Sequence, residues 1–353
     1  MPRRDYKALR DSLIETDKQK LADIFSEQQT IARDIINQSI RRDQDHLRLI
    51  NFCAEPFLYK GRLHSETEYL LIAIEPLYGM SVKNFDIGIF NPSTKVMILV
   101  ECKSSVSDAH KEVHELLRAA ETAEANRNEL DTLVGDTVKI RETVLCTNAA
   151  YAQRFKDAIR AENLPIIVWS ADQGIDILLL EKQGEDVAAE ILAGRLHREE
   201  KLRRLLFQGV KSQGMVRSIS FLPSSHPCTI LEEIVPILLL KMLGHDSFRL
   251  SDLRNQLANE SYFANFSDKD LWQLSESILK NALETEIFRP HSSPADDFSR
   301  MDFEMAVRKV SIKEIRKRYC DYHSKRIAEE RSVEEYDKAI SKKYRKLTDF
   351  ESG

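Results

Sequence analysis

The first fifty residues read as helix. Leu9, Leu13, Leu21, Phe25, Ile31, Ile35 and Ile36 recur mostly at helical spacing with charged residues between them. A further helix is expected around 65–77, opened by Ser65 and closed by Pro76 and Gly79, with Leu63, Leu70, Ile74 and Leu77 as its inward stripe. The period then changes. Asn84–Phe90 and Val96–Lys103 are β-rich runs joined by the turn signal Asn91-Pro92-Ser93-Thr94-Lys95. A helix over 107–130 follows, then a strand at Thr143–Thr147, a helix at Ala149–Glu162 and a strand at Ile166–Trp169. Strand, helix, strand at this length implies a right-handed crossover and a parallel pair. The predicted fold is therefore α/β: a four- or five-stranded mixed sheet, antiparallel hairpin first and parallel crossover second, flanked by helices.

Residues 183–210 read as a helix leading out of that core, and Gln213-Gly214 with Pro223–Pro227 mark a boundary. Thr229 with Glu232 forms a capping box for a helix through Leu243; Ser251 caps a second helix, and Ser267 with Asp270 a third. Glu286–Arg289, a Pro/Ser loop at His291–Pro294 and Phe303 complete the order of a winged helix-turn-helix. A charged helix covers 311–349. The predicted organisation is an N-terminal helical region (1–55), an α/β core (56–212), a winged-helix-like domain (225–305) and a charged C-terminal helix (306–353).

Composition narrows the class. The chain has 353 residues, 42% hydrophobic and 31% charged, which is ordinary for a globular protein. The longest apolar run, Ile234–Leu240, is interrupted by Pro236 and too short for a bilayer, so no membrane span is expected. Met1-Pro2-Arg3-Arg4-Asp5 lacks the apolar stretch of a secretory signal, which predicts a cytoplasmic location. Five scattered cysteines without a CxxC pair or zinc spacing point to reduced thiols rather than disulfides or structural zinc. The net charge of −5 does not advertise a nucleic-acid binder, although phosphate contacts need only a local basic surface. Candidates for one are Arg249, Arg254, Arg289, Arg300, Arg195–Arg204 and Arg316–Arg318. The recognition-helix candidate, 268–284, is itself acidic, so this module binds either DNA or protein.

The hairpin carries the chemistry. Counting back from a turn centred near Ser93 and Thr94 puts Asp86 opposite Val100 or Glu101. Glu101 and Lys103 share one face of their strand, and a suitable register sets Asp86 beside Glu101. Two carboxylates that close, at the end of an apolar strand, need a cation. Hard oxygen donors with a few waters suit Mg²⁺. Lys103 can then orient a water or stabilise charge building on a phosphorane. A third carboxylate is expected from the preceding helix, where Glu66 lies on the inward stripe and Glu68 points more to the side. Cys102 faces away from Glu101 and Lys103 and packs, and His64, His110 and His114 are helix-surface positions.

Phe85-Asp86 followed by Glu101-Cys102-Lys103 resembles the PD-(D/E)XK nuclease superfamily, the restriction endonuclease-like group. In that pattern an acidic residue on one strand precedes E-x-K on the next. The resemblance covers about 60–180. Asn84-Phe85 replaces the usual proline before the aspartate, and the helix after the E-x-K lacks the glutamine of some exonuclease branches. The resemblance implies Mg²⁺-dependent hydrolysis of DNA phosphodiesters leaving a 5′-phosphate, with Asp86, Glu101 and Glu66 as metal ligands and Lys103 catalytic. Mn²⁺ is the expected substitute ion. A type II restriction-like endonuclease is the leading expectation, acting as a homodimer because cutting both strands needs two sites. A transposition or repair nuclease that recognises a structure or a partner, and a DNA-binding protein with a relic core, are the alternatives.

Overall fold

The structure, a computed structural model, describes residues 5–78, 84–180, 200–212, 218–241, 247–264, 266–291, 301–306 and 311–351. The helical reading over 183–199, the Gln213-Gly214 break, the end of the Thr229 helix at Leu243 and the wing residue Arg300 lie outside these residues. In chain order the helices are α1 (Tyr6–Ser12), α2 (Glu15–Ala54), α3 (Arg62–Thr67), α4 (Ala109–Ala125), α5 (Arg127–Val134), α6 (Ala149–Glu162), α7 (Glu200–Gln208), α8 (Pro227–Lys241), α9 (Leu250–Ala258), α10 (Asp268–Glu284) and α11 (Ile312–Glu351). The strands are β1 (Leu70–Ile74), β2 (Ile87–Asn91), β3 (Val96–Lys103), β4 (Ile140–Asn148), β5 (Ile166–Asp172), β6 (Ile177–Leu180), β7 (Val210–Lys211), β8 (Phe248–Arg249), β9 (Phe288–Pro290) and β10 (Asp302–Met305). They form a seven-stranded mixed sheet in the order β1 to β7, and a three-stranded sheet in the order β8-β10-β9.

The chain makes two compact units, neither of them one continuous stretch. One takes residues 42–225 and 251–276; the other joins 1–41, 226–250 and 277–353.

In the first unit, β1, β2 and β3 run antiparallel to their neighbours, and β3, β4 and β5 are parallel. Antiparallel β6 and β7 then extend the sheet beyond the four or five strands expected. One sheet face presents Met97, Leu99, Leu145 and Val168 to Val113, Leu116 and Ala119 of α4 and Phe155 and Ile159 of α6. Because β2 and β3 are buried along almost their whole length, their sequences are nearly continuous apolar runs. The sheet core thus lies between helices, as the period change in the sequence predicts.

One element differs outright. The expected helix over 65–77 is only α3, and Leu70–Ile74 is strand β1. Glu68 stops the helix in a left-handed conformation (φ 64°), its N–H bonding the His64 carbonyl at 2.8 Å. The run Leu70-Leu71-Ile72-Ala73-Ile74 then pairs with β2 through a register shift between Leu71 and Ala73. Periodicity alone cannot separate a short apolar strand from a buried helix.

In the second unit, Leu9 and Leu21 pack with Val333 and Tyr336, so residues over three hundred positions apart share one small core. Arg316 bonds both carboxylate oxygens of the buried Glu232, at 2.6 and 2.7 Å. Phe248 packs against Phe288 and Phe303, with ring centroids 4.8 and 6.0 Å apart. The helix α8 starts at Pro227, two residues before Thr229, so Thr229 is not its cap. In the first unit, Ser267 caps α10: its Oγ accepts from the Asp270 amide at 3.2 Å and donates to the Asp270 carboxylate at 2.5 Å. Among the described residues no helix is long and apolar enough to cross a membrane.

Candidate functional site

Three adjacent strand ends bring three carboxylates into one row. The β2–β3 register pairs Ile87 with Val100, which continues to Asp86 opposite Glu101. The β1–β2 register pairs Ile74 with Ile87, which continues to Glu75 opposite Asp86. Backbone bonds extend the ladder past the strands: Glu75 N–H donates to Asp86 O at 2.9 Å, and Asp86 N–H to Val100 O at 3.0 Å. Residues opposite one another in a ladder point to the same face. Glu75, Asp86 and Glu101 accordingly line a single open cavity of about 430 Å³, together with His46, Tyr78, Asn84, Pro223 and Ser224.

Each carboxylate is buried, with 6–7% of its surface exposed, and two of the three have a cation beside them. Asp86 Oδ2 accepts from the Cys102 amide at 2.6 Å and lies 3.2 Å from His46 Nε2. Burial pushes Asp86 up, but the His46 charge, the two bonds and Lys103 outweigh it and hold the group below its ordinary range. Burial alone would lower His46; the facing Asp86 and Glu101 reverse this and raise it to about 9. Lys103 Nζ donates to Glu101 Oε1 at 2.6 Å. Burial opposes the Lys103 charge and Glu101 more than restores it, so Lys103 is raised and stays an ammonium.

Glu75 is the uncompensated member. Burial, opposed by a bond from Ser224 and reinforced by the Asp86 charge, raises it to about 7. Its Oε2 is buried and has no hydrogen-bond partner. The backbone at Glu75 is left-handed (φ 41°), a conformation of a non-glycine residue that the surrounding ladder has to impose. An orphaned carboxylate oxygen beside two further carboxylates is what a hard divalent cation would satisfy. The ligand atoms of the three carboxylates do not all lie within 4.8 Å of one another. A magnesium ion that keeps several waters needs only one or two of them directly.

The helix α2 brings in His46, and its path is fixed by a buried amide. Asn51 Nδ2 donates to Ile219 O at 2.8 Å, and Ile219 N–H donates to Asn51 Oδ1 at 2.9 Å. That pair also anchors the segment carrying Ser224.

Of the sequence-derived residues, Asp86 and Glu101 line the cavity, and Lys103 is joined to it through Glu101. Glu66 is not brought there. It lies on α3, partly exposed, in an i,i+4 pair with Arg62 at 3.2 Å. The reason is the strand: once Leu70–Ile74 leaves the helix, the acidic position facing Asp86 is Glu75. Glu68 accepts from Ser93 Oγ at 2.6 Å, away from the cavity. His110 and His114 both engage Glu162, at 3.1 and 2.8 Å. His46 and Glu75 were missed. Glu75 carried a signal in the apolar run that ends at Glu75-Pro76, whereas His46 on a long charged helix carried none.

On the opposite face of the sheet, Cys102 meets Cys53 and Cys146, all three fully buried. Among the basic candidates, Arg249 pairs with Asp302 at 2.9 Å, Arg289 with Glu304 at 2.5 Å, and Arg254 with Asp268. Comparisons with protein-family models, curated proteins and solved structures give no match for this chain.

Proposed function

We propose that the protein is a metal-dependent DNA endonuclease of the PD-(D/E)XK kind, with Asp86, Glu101 and Glu75 as the acidic set and Lys103 as the cationic member. The observation that carries the reading is the row Glu75–Asp86–Glu101 across β1, β2 and β3, with Lys103 two residues beyond Glu101 on the same face. The order α3-β1-β2-β3-α4-α5-β4, with an antiparallel hairpin followed by a parallel crossover, supports it. So does the orphaned Glu75 oxygen, which fits Mg²⁺ or Mn²⁺.

When bound, the ion would supply Lewis acidity toward a phosphodiester oxygen and lower the pKa of a water. The remaining work falls to the chain. Asp86 is held ionised and oriented by the Cys102 amide, so it is a ligand prepared in advance. Lys103, held as an ammonium, aligns the attacking water and stabilises charge on the non-bridging phosphoryl oxygens. His46, cationic above neutral pH, offsets the charge of Asp86 and is the group placed to donate a proton toward the leaving 3′-oxygen. Water oxygen joins phosphorus and gives up a proton to solvent, the P–O3′ bond breaks with O3′ taking a proton, and a 5′-phosphate remains.

Within this class we read it as a type II restriction-like enzyme, active as a homodimer. The order α8-β8-α9-α10-β9-β10, with strands arranged β8-β10-β9, supports a winged helix for reading DNA. One observation favours the rival, a nuclease guided by DNA structure or a protein partner: Arg249, Arg254 and Arg289 are already engaged by acids.

The deciding experiment incubates the full chain with supercoiled plasmid and Mg²⁺, beside Asp86→Ala and Lys103→Ala proteins and an EDTA control. Discrete fragments that vanish in both variants and in EDTA support the restriction-type reading. Variant-sensitive nicking or smearing supports the rival. Cleavage that the variants retain, or none on several DNAs, overturns the nuclease.

A further inference from the structure

We propose that Cys53, Cys102 and Cys146 form a binding site for one thiophilic metal ion of the Cu(I) class, on the face of the sheet opposite the carboxylate row. The inference stands apart from the nuclease reading and uses none of its residues as ligands.

The three thiols come from three elements distant in sequence: the last turn of α2, β3 and β4. Their sulfurs all lie within 4.8 Å of one another, and all three residues have no exposed surface. Sheet topology is what makes the cluster. Cys102 and Cys146 are register partners on parallel strands, so their side chains leave the same face side by side, and α2 lays Cys53 over them. Spacing rules for zinc detect ligands close in sequence, and therefore pass over this arrangement.

The geometry suits a trigonal site. Three sulfurs surrounding an ion at about 2.3 Å in one plane are about 4.0 Å apart. The observed limit is less than an ångström wider, within reach of side-chain rotation. Among the described residues no fourth Cys, His or carboxylate joins the group at the same spacing. Zinc, which takes four ligands in structural sites, would be left one short. Cu(I) is soft and accepts low coordination by thiolates.

The surroundings exclude water. Cys146 pairs in register with Trp169 of β5, and Phe57 stacks on Trp169 with centroids 5.6 Å apart and planes 11° from parallel. Buried charge in such a layer is costly. Cu(I) binds thiolate sulfur, so loading releases thiol protons to solvent as S–H bonds give way to Cu–S bonds, and the ion's positive charge offsets part of the thiolate charge. The two remaining cysteines, Cys228 and Cys320, are an internal comparison, because both are buried and neither belongs to the cluster.

The test uses the reduced full chain without oxygen. Cu(I) is titrated against a chromogenic Cu(I) chelator, both onto folded protein and during refolding, since the site is closed to solvent. The expected result is one ion per chain and a near-ultraviolet thiolate-to-copper band, with an X-ray absorption first shell of sulfur alone. Cys53→Ala and Cys146→Ala should weaken competition at least tenfold, while the Cys228→Ser/Cys320→Ser protein behaves as wild type. Failure of the wild type to compete after refolding, a nitrogen or oxygen first shell, or uptake that disappears with Cys228 and Cys320 would overturn the proposal. The wild-type titration and spectrum decide the matter even if an alanine variant does not fold.

Discussion

At the scale of single residues, the site is an exercise in compensating buried charge. Asp86 and Glu101 each own a cation, at 3.2 and 2.6 Å, while Glu75 has a serine and an orphaned oxygen. A carboxylate buried without a partner costs several kcal/mol unless it protonates or gains a cation. Glu75→Gln should therefore leave the fold intact, or raise its melting temperature slightly, and reduce Mg²⁺-dependent cleavage by about a hundredfold or more, as loss of a charged transition-state contact does. Glu66→Gln should leave cleavage within twofold of wild type, because that residue is paired with Arg62 on α3, outside the cavity lining. Equal losses in the two variants, measured as initial rates on one plasmid, would restore Glu66 to the site. The Asp86, Glu101 and Lys103 set was legible because a strand's two-residue period and a central turn fix which side chains face each other. Glu75 was not, since its place depends on whether Leu70–Ile74 is helix or strand.

At the scale of elements, local signals worked best where they were chemically strong. Asn91 to Lys95 turns the hairpin as read, and α6 spans Ala149–Glu162, the limits that its apolar spacing gives. The helix expected over 107–130 is two, because Asn126 breaks it before Arg127. The first of them, α4, follows directly on the Glu101–Lys103 strand and covers the sheet with Val113, Leu116 and Ala119. It is capped by Asp108, whose Oδ1 accepts from the Lys111 amide at 3.1 Å. Asp108→Ala should cost about 1 kcal/mol, read as a fall in the urea midpoint at unchanged slope. Asp108→Asn should recover most of it, and a midpoint unmoved by the alanine would show that the cap contributes nothing. Tertiary pairing decided β1: its neighbour β2 supplies the ladder that an isolated apolar pentamer cannot announce.

At the scale of the whole molecule, linear reading has its limit. The chain's compact units interleave, one of them collecting residues 1–41, 226–250 and 277–353. Charge patterning shows that α11 is solvated on one side, but not that Val333 and Tyr336 on it pack with Leu9 and Leu21. The same unit holds a titratable ring on α11. His323 on α11 lies tilted against Tyr319, ring centroids 4.3 Å apart, and its Nε2 is buried without a partner among the described residues. Burial first, then Arg326 and His226 against the opposing Glu284, lower it from its ordinary value of 6.5. The folded unit therefore favours the neutral ring. Stability is full above the ordinary value and declines as pH falls below it, toward the lowered pKa. Urea midpoints at pH 7.5 and pH 5 should fall further for the wild type than for His323→Gln. Identical falls would remove His323 from the acid response.

The turn of the β2–β3 hairpin has a consequence for how the row of carboxylates is inherited during folding. Asn91 is buried; its side chain donates to Thr67 O at 2.8 Å and accepts from the Ser93 and Thr94 amides at 2.9 and 3.1 Å. That one amide fastens the loop to the end of α3 and counts the residues between the strands. Slip the pairing by a single residue and every side chain beyond the turn changes face. Glu101 and Lys103 would then rotate out of the cavity and Cys102 into it, with the strands still formed and their apolar runs still buried on both sides. The near-uniform hydrophobicity of β2 and β3 offers little resistance to such an error. Proofreading of the alignment thus falls to a polar group at the far end of the hairpin, distant from the residues whose positions it guarantees.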